Sequence, residues 1–296
     1  MRFATTNGKW EVLCLPLLLL AVLPVRSARA QSDIAGEWTS RNFNVGLDVG
    51  DYTGIPWNDA GRMRAETWAP DQIDLPENVC RPHPFDLGYR VGPSDLDITK
   101  EVDPSTQQIV AYHLHTPWSD QTIWMDGRPH PSEFANYKWS GFSTGKWQGS
   151  SLVVTTDHLK EGYYTRVGAI RSSKATITMV LNRYDNYLTA LIIVKDLAYL
   201  TEPYIQEANW YYQPHHLGAL PSTCETPDEG ALIPATTVPS YMPGKNDILS
   251  NFALEYGIPP EATLGGAETL YPEYLEKMKT MKKPPRNNTQ HFTRTG

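Results

Sequence analysis

The chain has 296 residues, 40% of them hydrophobic and 11% aromatic, with 26 basic residues against 33 acidic ones for a net charge of −7. An acidic chain of this kind is a poor partner for nucleic acid, and its aromatic content argues against overall disorder. Its 24 prolines and 21 glycines predict many turns and few long helices.

At the start of the chain, Arg2 and Lys9 precede the apolar run Val12–Leu23, and Ala28-Arg29-Ala30 matches an A-x-A cleavage site ahead of Gln31. The run is about a dozen residues, short of the ~20 that span a bilayer. Residues 1–30 therefore read as a secretory signal peptide, and the expected location is periplasmic or secreted, with no transmembrane segment in the mature chain. Removing four basic residues and one acidic residue from 26 and 33 leaves 22 and 32, so the mature chain is more acidic still. Cys80 and Cys224 then remain, and in an oxidising compartment two cysteines most simply form one disulfide, worth ~4–5 kcal/mol in the chain-entropy model. Two separate buried thiols are the alternative.

The mature chain divides into a β-barrel domain over 31–233, a Pro-rich and helical extension over 234–281 packed on the barrel, and a disordered tail over 282–296. Ile34–Thr39 reads as a first strand. Its Gly36-x-Trp38 resembles the G-x-W that opens lipocalin-like barrels, which implies a tryptophan packed across the barrel base. Asn58 is placed to cap a short helix whose Ala60, Met63, Arg64 and Trp68 fall at helical spacing, with Pro70 as its stop. This helix is expected against the sheet as a lid or plug.

From Phe85 onward the period changes to two. Strands are predicted at 108–115, 121–125, 137–142, 151–158, 163–170, 175–184, 187–195 and 208–213, each bounded by turn residues. The linkers are too short for crossover helices, so the fold class is all-β, an antiparallel meander. Asn182–Tyr187 is its clearest hairpin tip. Eight or more strands remove their edges by closing, here as a lipocalin- or calycin-like barrel with a few short peripheral helices. In the extension, Asn246 reads as an N-cap, Ile248, Leu249, Phe252, Ala253 and Tyr256 as one apolar face, and Gly257 with Pro259 as the terminator. Tyr271–Met281 adds another turn or two.

The stretch Trp118–Thr156 holds four of the nine tryptophans. Within it, Asp126-Gly127-Arg128-Pro129 and Gly145-Lys146 carry turn chemistry between strands. The run WMDGRPHP followed by YKWSGFSTGKWQGSSLVVTT resembles the signature of a bacterial family of exported proteins of unknown function. Asp33–Trp38 at one end and 241–244 and 265–274 at the other extend that resemblance. It implies export and a chain that forms one unit, and carries no catalytic residues with it.

Chemistry is sought first among the histidines. His113 and His115 lie two apart on one strand and share a face with Ile109 and Ala111. A His-x-His strand places two imidazoles on zinc or copper, with His130 or His158 as third ligand. Acid–base use without metal and plain structural hydrogen bonding are the alternatives. The near-equal hydrophobicity of the strand's two faces predicts that His113 and His115 face an internal cavity. Asp126, Arg128 and His130 form either a site rim or a structural turn. Trp118, Trp124, Trp139, Tyr163, Tyr164, Trp210 and Tyr212 are candidates to line a pocket for a hydrophobic or aromatic ligand. No G-x-G-x-x-G, P-loop, H-E-x-x-H or G-x-S-x-G motif is present, which argues against nucleotide cofactors and common serine hydrolysis. Three functions stay open: a small-molecule-binding barrel, a periplasmic lyase, isomerase or hydrolase using pocket histidines, and a cell-envelope interaction module.

Overall fold

Alternation of apolar and polar side chains builds the sheet. Among the described residues the strands are β1 (Gly36–Ser40), β2 (Leu96–Val102), β3 (Ile109–His115), β4 (Asp120–Trp124), β5 (Phe142–Gln148), β6 (Ser151–Asp157), β7 (Gly162–Tyr163), β8 (Ile170–Arg171), β9 (Thr176–Tyr184), β10 (Tyr187–Lys195) and β11 (Tyr204–Tyr212). Along β9 and β10, Ile177, Met179, Leu181, Leu188, Ala190, Ile192 and Val194 are buried at every second position, as a half-solvated sheet requires. The computed structural model describes residues 33–41, 50–68, 95–117, 119–164, 168–215 and 240–286, all within one compact unit, Ser32–Gly296. Residues 1–30, Cys80, Cys224, Trp118, the Pro-rich run before 240 and the tail beyond 286 lie outside the described residues.

Nine strands close into a barrel in the order β1-β11-β10-β9-β6-β5-β4-β3-β2, and β7 with β8 form a separate two-stranded sheet. The expected barrel with short peripheral helices is thus present. Eight neighbouring pairs are antiparallel. The ninth, β4 with β5, is parallel through Ile123↔Ser143 and Trp124↔Thr144. The meander therefore holds within β2–β4 and β9–β11 and is interrupted at that joint.

Several local expectations are corrected. No strand forms over 137–141, and Gly145-Lys146 lies inside β5 instead of turning. Gly145 is small for packing: a Cβ there would come within 2.6 Å of Met125 Sδ and 2.8 Å of Ile123 Cγ2. The turn falls at Gly149, which takes φ 66°. Residues 163–170 form only the short β7 and β8, because the chain turns away from the barrel there. β11 begins at Tyr204, four residues before expectation, with Ile205 outward and Gln206 inward. β2 was not anticipated, since its apolar alternation ends after Leu96 and Ile98.

One barrel end is closed by Trp38. Its ring is fully buried, its Nε1 donates to Ile34 O at 3.0 Å, and Tyr212 packs edge-on with centroids 5.3 Å apart. The Arg183 guanidinium lies over both rings, 5.1 and 5.2 Å from their centroids, and donates to the carbonyls of Asp33 and Asp185. The opposite end carries the helix α1 (Asp59–Glu66), capped by Asn58 Oδ1 on Gly61 N at 2.9 Å as expected. Its buried face is Gly61 and Ala65, and not Ala60 and Met63, because Gly61 N–Cα packs against Tyr199, whose carbonyl would lie 2.3 Å from a Cβ. Tyr52, Ile55, Trp57, Leu200 and Leu249 merge with the barrel interior in one apolar core.

The extension contributes a 3-10 turn (Asp247–Ser250) running into α2 (Asn251–Tyr256), then α3 (Pro260–Thr263) and α4 (Pro272–Met278). Gly257 ends α2 with φ 65° in the left-handed region, as expected. Asn246 caps nothing; its Nδ2 donates instead to Glu66 O and Trp68 O at 3.1 and 2.8 Å, tying the extension to the end of α1.

Trp38→Ala removes a buried ring and is expected to lower unfolding free energy by ~3–5 kcal/mol, whereas exposed Met63→Ala changes it by less than ~0.5 kcal/mol. Urea unfolding of the two variants checks the difference.

Candidate functional site: a histidine cluster on the outer barrel wall

Parallel neighbours cannot be joined by a tight hairpin, so residues 125–141 return from the end of β4 to the start of β5. Asp126-Gly127 makes the first reversal, with Gly127 at φ 75°. The Asp126 carboxylate accepts from Arg128 Nε at 2.9 Å and from Arg128 Nη2 at 2.5 Å, and the guanidinium stacks 3.5 Å above the Trp124 ring centroid. That hydrogen-bonded guanidinium holds the Asp126 carboxyl below the ordinary carboxylate range. Asp126 and Arg128 thus satisfy each other, as a structural turn.

His130 follows, seated on the outward face of β5 and β6. Ser143 and Thr156 point into the barrel, so their neighbours Thr144 and Asp157 point out. His130 Nε2 lies 2.8 Å from Thr144 Oγ1, and Nδ1 lies 2.8 Å from Asp157 Oδ2, a close contact off the line of a hydrogen bond. Phe142 packs edge-on against the imidazole at 5.2 Å. The second oxygen of Asp157 meets His158 Nδ1 at 2.7 Å, and His158 Nε2 lies 2.7 Å from Ser132 O. A carboxylate and a carbonyl can only accept, so an arrangement with both ring nitrogens of His158 facing acceptors favours the imidazolium form. The Asp157 hydrogen bond first, and the Ser132 carbonyl second, raise its pKa above the ordinary histidine value. His158 also holds φ 53°, a left-handed conformation uncommon for its type. Backbone bonds from Lys138 N to His158 O and from Lys160 N to Lys138 O, each 2.9 Å, fasten the returning loop beside it.

His113 and His115 do not face an internal cavity. Tyr112 and Leu114 take the inner face of β3, while His113 and His115 point outward with side chains 31% and 46% exposed. His113 bridges Thr122 Oγ1 and Glu101 Oε2, each at 3.2 Å, and His115 Nδ1 meets Asp120 Oδ1 at 2.7 Å. The outer face looked core-like because Ala111 is buried there, beside its cross-strand neighbour Trp124. Among the described residues no group of three or more His, Cys, Asp or Glu is arranged to hold a metal, so His113, His115 and His158 are not brought together as ligands.

The aromatic set is likewise divided. Tyr164 and Trp210 are buried, Tyr212 closes the barrel end, Trp124 and Trp139 lie half-buried on the outer wall with Arg128 and Lys160 over their rings, and Tyr163 sits on β7.

Two interior polar groups escaped the sequence reading. Gln121 donates to Ser143 Oγ at 2.9 Å, and Ser143 and Thr156 share a 2.8 Å bond, so that trio is internally paired. Gln206 is not: only 6% exposed and opposite Ile192, it has no hydrogen-bond partner among the described residues at either Oε1 or Nε2. Its position was readable, since Gln206 shares the parity of Ala208 and Trp210. Fold and core together define a closed nine-stranded β-barrel protein. No protein-family model, curated protein or solved structure matches the chain.

Because the folded-state pKa of His158 is raised above ~6.5, the stabilisation from its protonated form is complete below that ordinary value and is lost as pH rises through the folded-state value. Asn tolerates positive φ, so His158→Asn is expected to destabilise most in acid and progressively less in alkali. Urea midpoints between about pH 5 and 9 test this linkage; a pH-independent difference would contradict it.

Proposed function

We propose that the chain is an exported small-molecule-binding barrel that takes a mainly apolar ligand into its interior, with one polar group of that ligand meeting the Gln206 carboxamide. The observation that carries this reading is Gln206 itself. A buried amide lacking partners costs about 1–3 kcal/mol per unsatisfied group, and such a group is retained where something outside the protein completes it. Met179, Ile192, Ala208 and Trp210 supply apolar wall on the same inner face. Trp38 and Arg183 block one end of the barrel, and Tyr52, Ile55, Trp57 and Leu249 pack into the other, so entry in this reading requires α1 and the extension to move aside. The charge pattern and cleavage site of residues 1–30 support export.

Gln206→Leu is expected to raise the stability of the unliganded protein by ~1 kcal/mol. Uptake of the neutral fluorophore N-phenyl-1-naphthylamine is expected to be saturable and to quench tryptophan emission, and Ala208→Phe, which fills the same face, is expected to abolish it. Uptake unaltered by Ala208→Phe in a folded variant would sink the reading.

A second reading, that of an enzyme, draws on the run Thr144–His130–Asp157, a hydroxyl, an imidazole and a carboxylate each 2.8 Å apart. In this reading Thr144 Oγ1 attacks the ester carbonyl as His130 Nε2 takes its proton, the phenolate leaves, water then releases the acetyl group, and the nearby Asp157 carboxylate favours the transient charge on the imidazole. Hydrolysis of p-nitrophenyl acetate is then lost in Thr144→Val and kept in Thr144→Ser; equal rates in wild type and Thr144→Val would dismiss it.

A further inference from the structure

A groove of about 660 Å³ opens at the rim of the barrel where β10 leaves the sheet. Its size lies within the ~300–1,000 Å³ of small-molecule sites. The inward positions at this rim are Ile177 and Val194, and the groove is lined by the outward Lys195, by the turn Asp196–Pro203 and, among its apolar residues, by Leu200, which also belongs to the core.

Its floor is rigid. Asp196 is 1% exposed, and its carboxylate accepts from Ser172 N and Ser172 Oγ at 2.7 Å and from Ala198 N at 3.2 Å. Its carbonyl accepts from Leu200 N at 2.7 Å. This buried carboxylate fixes the turn after β10, and the turn thrusts Leu197 out to 90% exposure. A leucine held in water by a locked backbone leaves its apolar surface free to meet an apolar ligand. With Leu200 and Pro203 it gives the groove an apolar side. The other side carries Lys174 and Lys195, and among the described residues neither ammonium is paired with a carboxylate. In a chain of net charge −7, two unpaired cations on one groove are an anion site waiting for charge. Glu202 also lines the groove and offsets one of them.

We propose that this groove binds an amphiphile with an anionic head group, the head at Lys174 and Lys195 and the alkyl chain along Leu197, Leu200 and Pro203. A carboxylate or phosphate head serves equally, whether on a soluble molecule or on a lipid in a membrane surface.

Titration calorimetry of the full chain with decanoate and with uncharged decanol tests the head group. Decanoate is expected to bind saturably and more tightly than decanol. Lys174→Gln with Lys195→Gln is expected to weaken decanoate at least about tenfold and Glu202→Gln to tighten it. Sedimentation with phosphatidylglycerol and phosphatidylcholine vesicles forms the second arm. Retention on the anionic vesicles alone, lost in the double lysine variant, assigns the head group to a lipid; uptake of free decanoate assigns it to a soluble amphiphile. If neither decanoate nor anionic vesicles bind, or if binding survives the double lysine substitution, the proposal is overturned.

Discussion

A ring of nine strands cannot reverse direction at every joint, so one pair of neighbours has to run the same way. Here that joint is β4 with β5, held by only two register pairs, and the other devices on the outer wall follow from it. A parallel joint needs a returning segment, and that segment must be fastened to a wall it does not hydrogen-bond as a strand. Asp126, Arg128 and Trp124 make the departure, His130 rests on Thr144, and the Asp157–His158 pair with Ser132 secures the middle. The most chemically conspicuous run of the sequence is therefore, first of all, the means by which an odd barrel closes.

Inside the barrel a different economy applies. Gln121, Ser143 and Thr156 sit directly behind the parallel joint and satisfy one another, which lets three polar groups be buried without orphaned donors. Gln206 on the far wall has no such company. One core thus holds a polar trio that satisfies itself and, among the described residues, polar atoms of Gln206 and Trp57 without a protein partner.

Much of the wall was legible because alternation is a local property. β3, β4, β6, β9 and β10 all fall where the period-two pattern places them, and the Asp185 hairpin tip follows from turn chemistry. What failed was information held by neighbours distant in the chain. Ile109–His115 has two faces of similar hydrophobicity, so only the register with β2 and β4 decides that the histidines point out. Gly145 reads as a turn until Met125 and Ile123 are seen pressing on it. His130 stood out in the sequence, yet its partners Thr144 and Asp157 were ordinary strand residues whose outward parity only the closed sheet reveals.

The closing seam joins β1 to β11, so Trp38 meets Tyr212 and Arg183 reaches back to Asp33. Hairpins such as β9–β10 are able to form as soon as they are made, but the last seam waits until β11 at Tyr204–Tyr212, more than two thirds of the way along the chain, a high-contact-order step of the kind that slows folding toward milliseconds to seconds. Until then both end strands keep unpaired edges and the barrel has no finished interior. For a chain exported through a membrane as proposed, such lateness is useful: a polypeptide that cannot complete its fold from its first two thirds stays threadable, and acquires its resistance to unfolding only once its final strand has arrived.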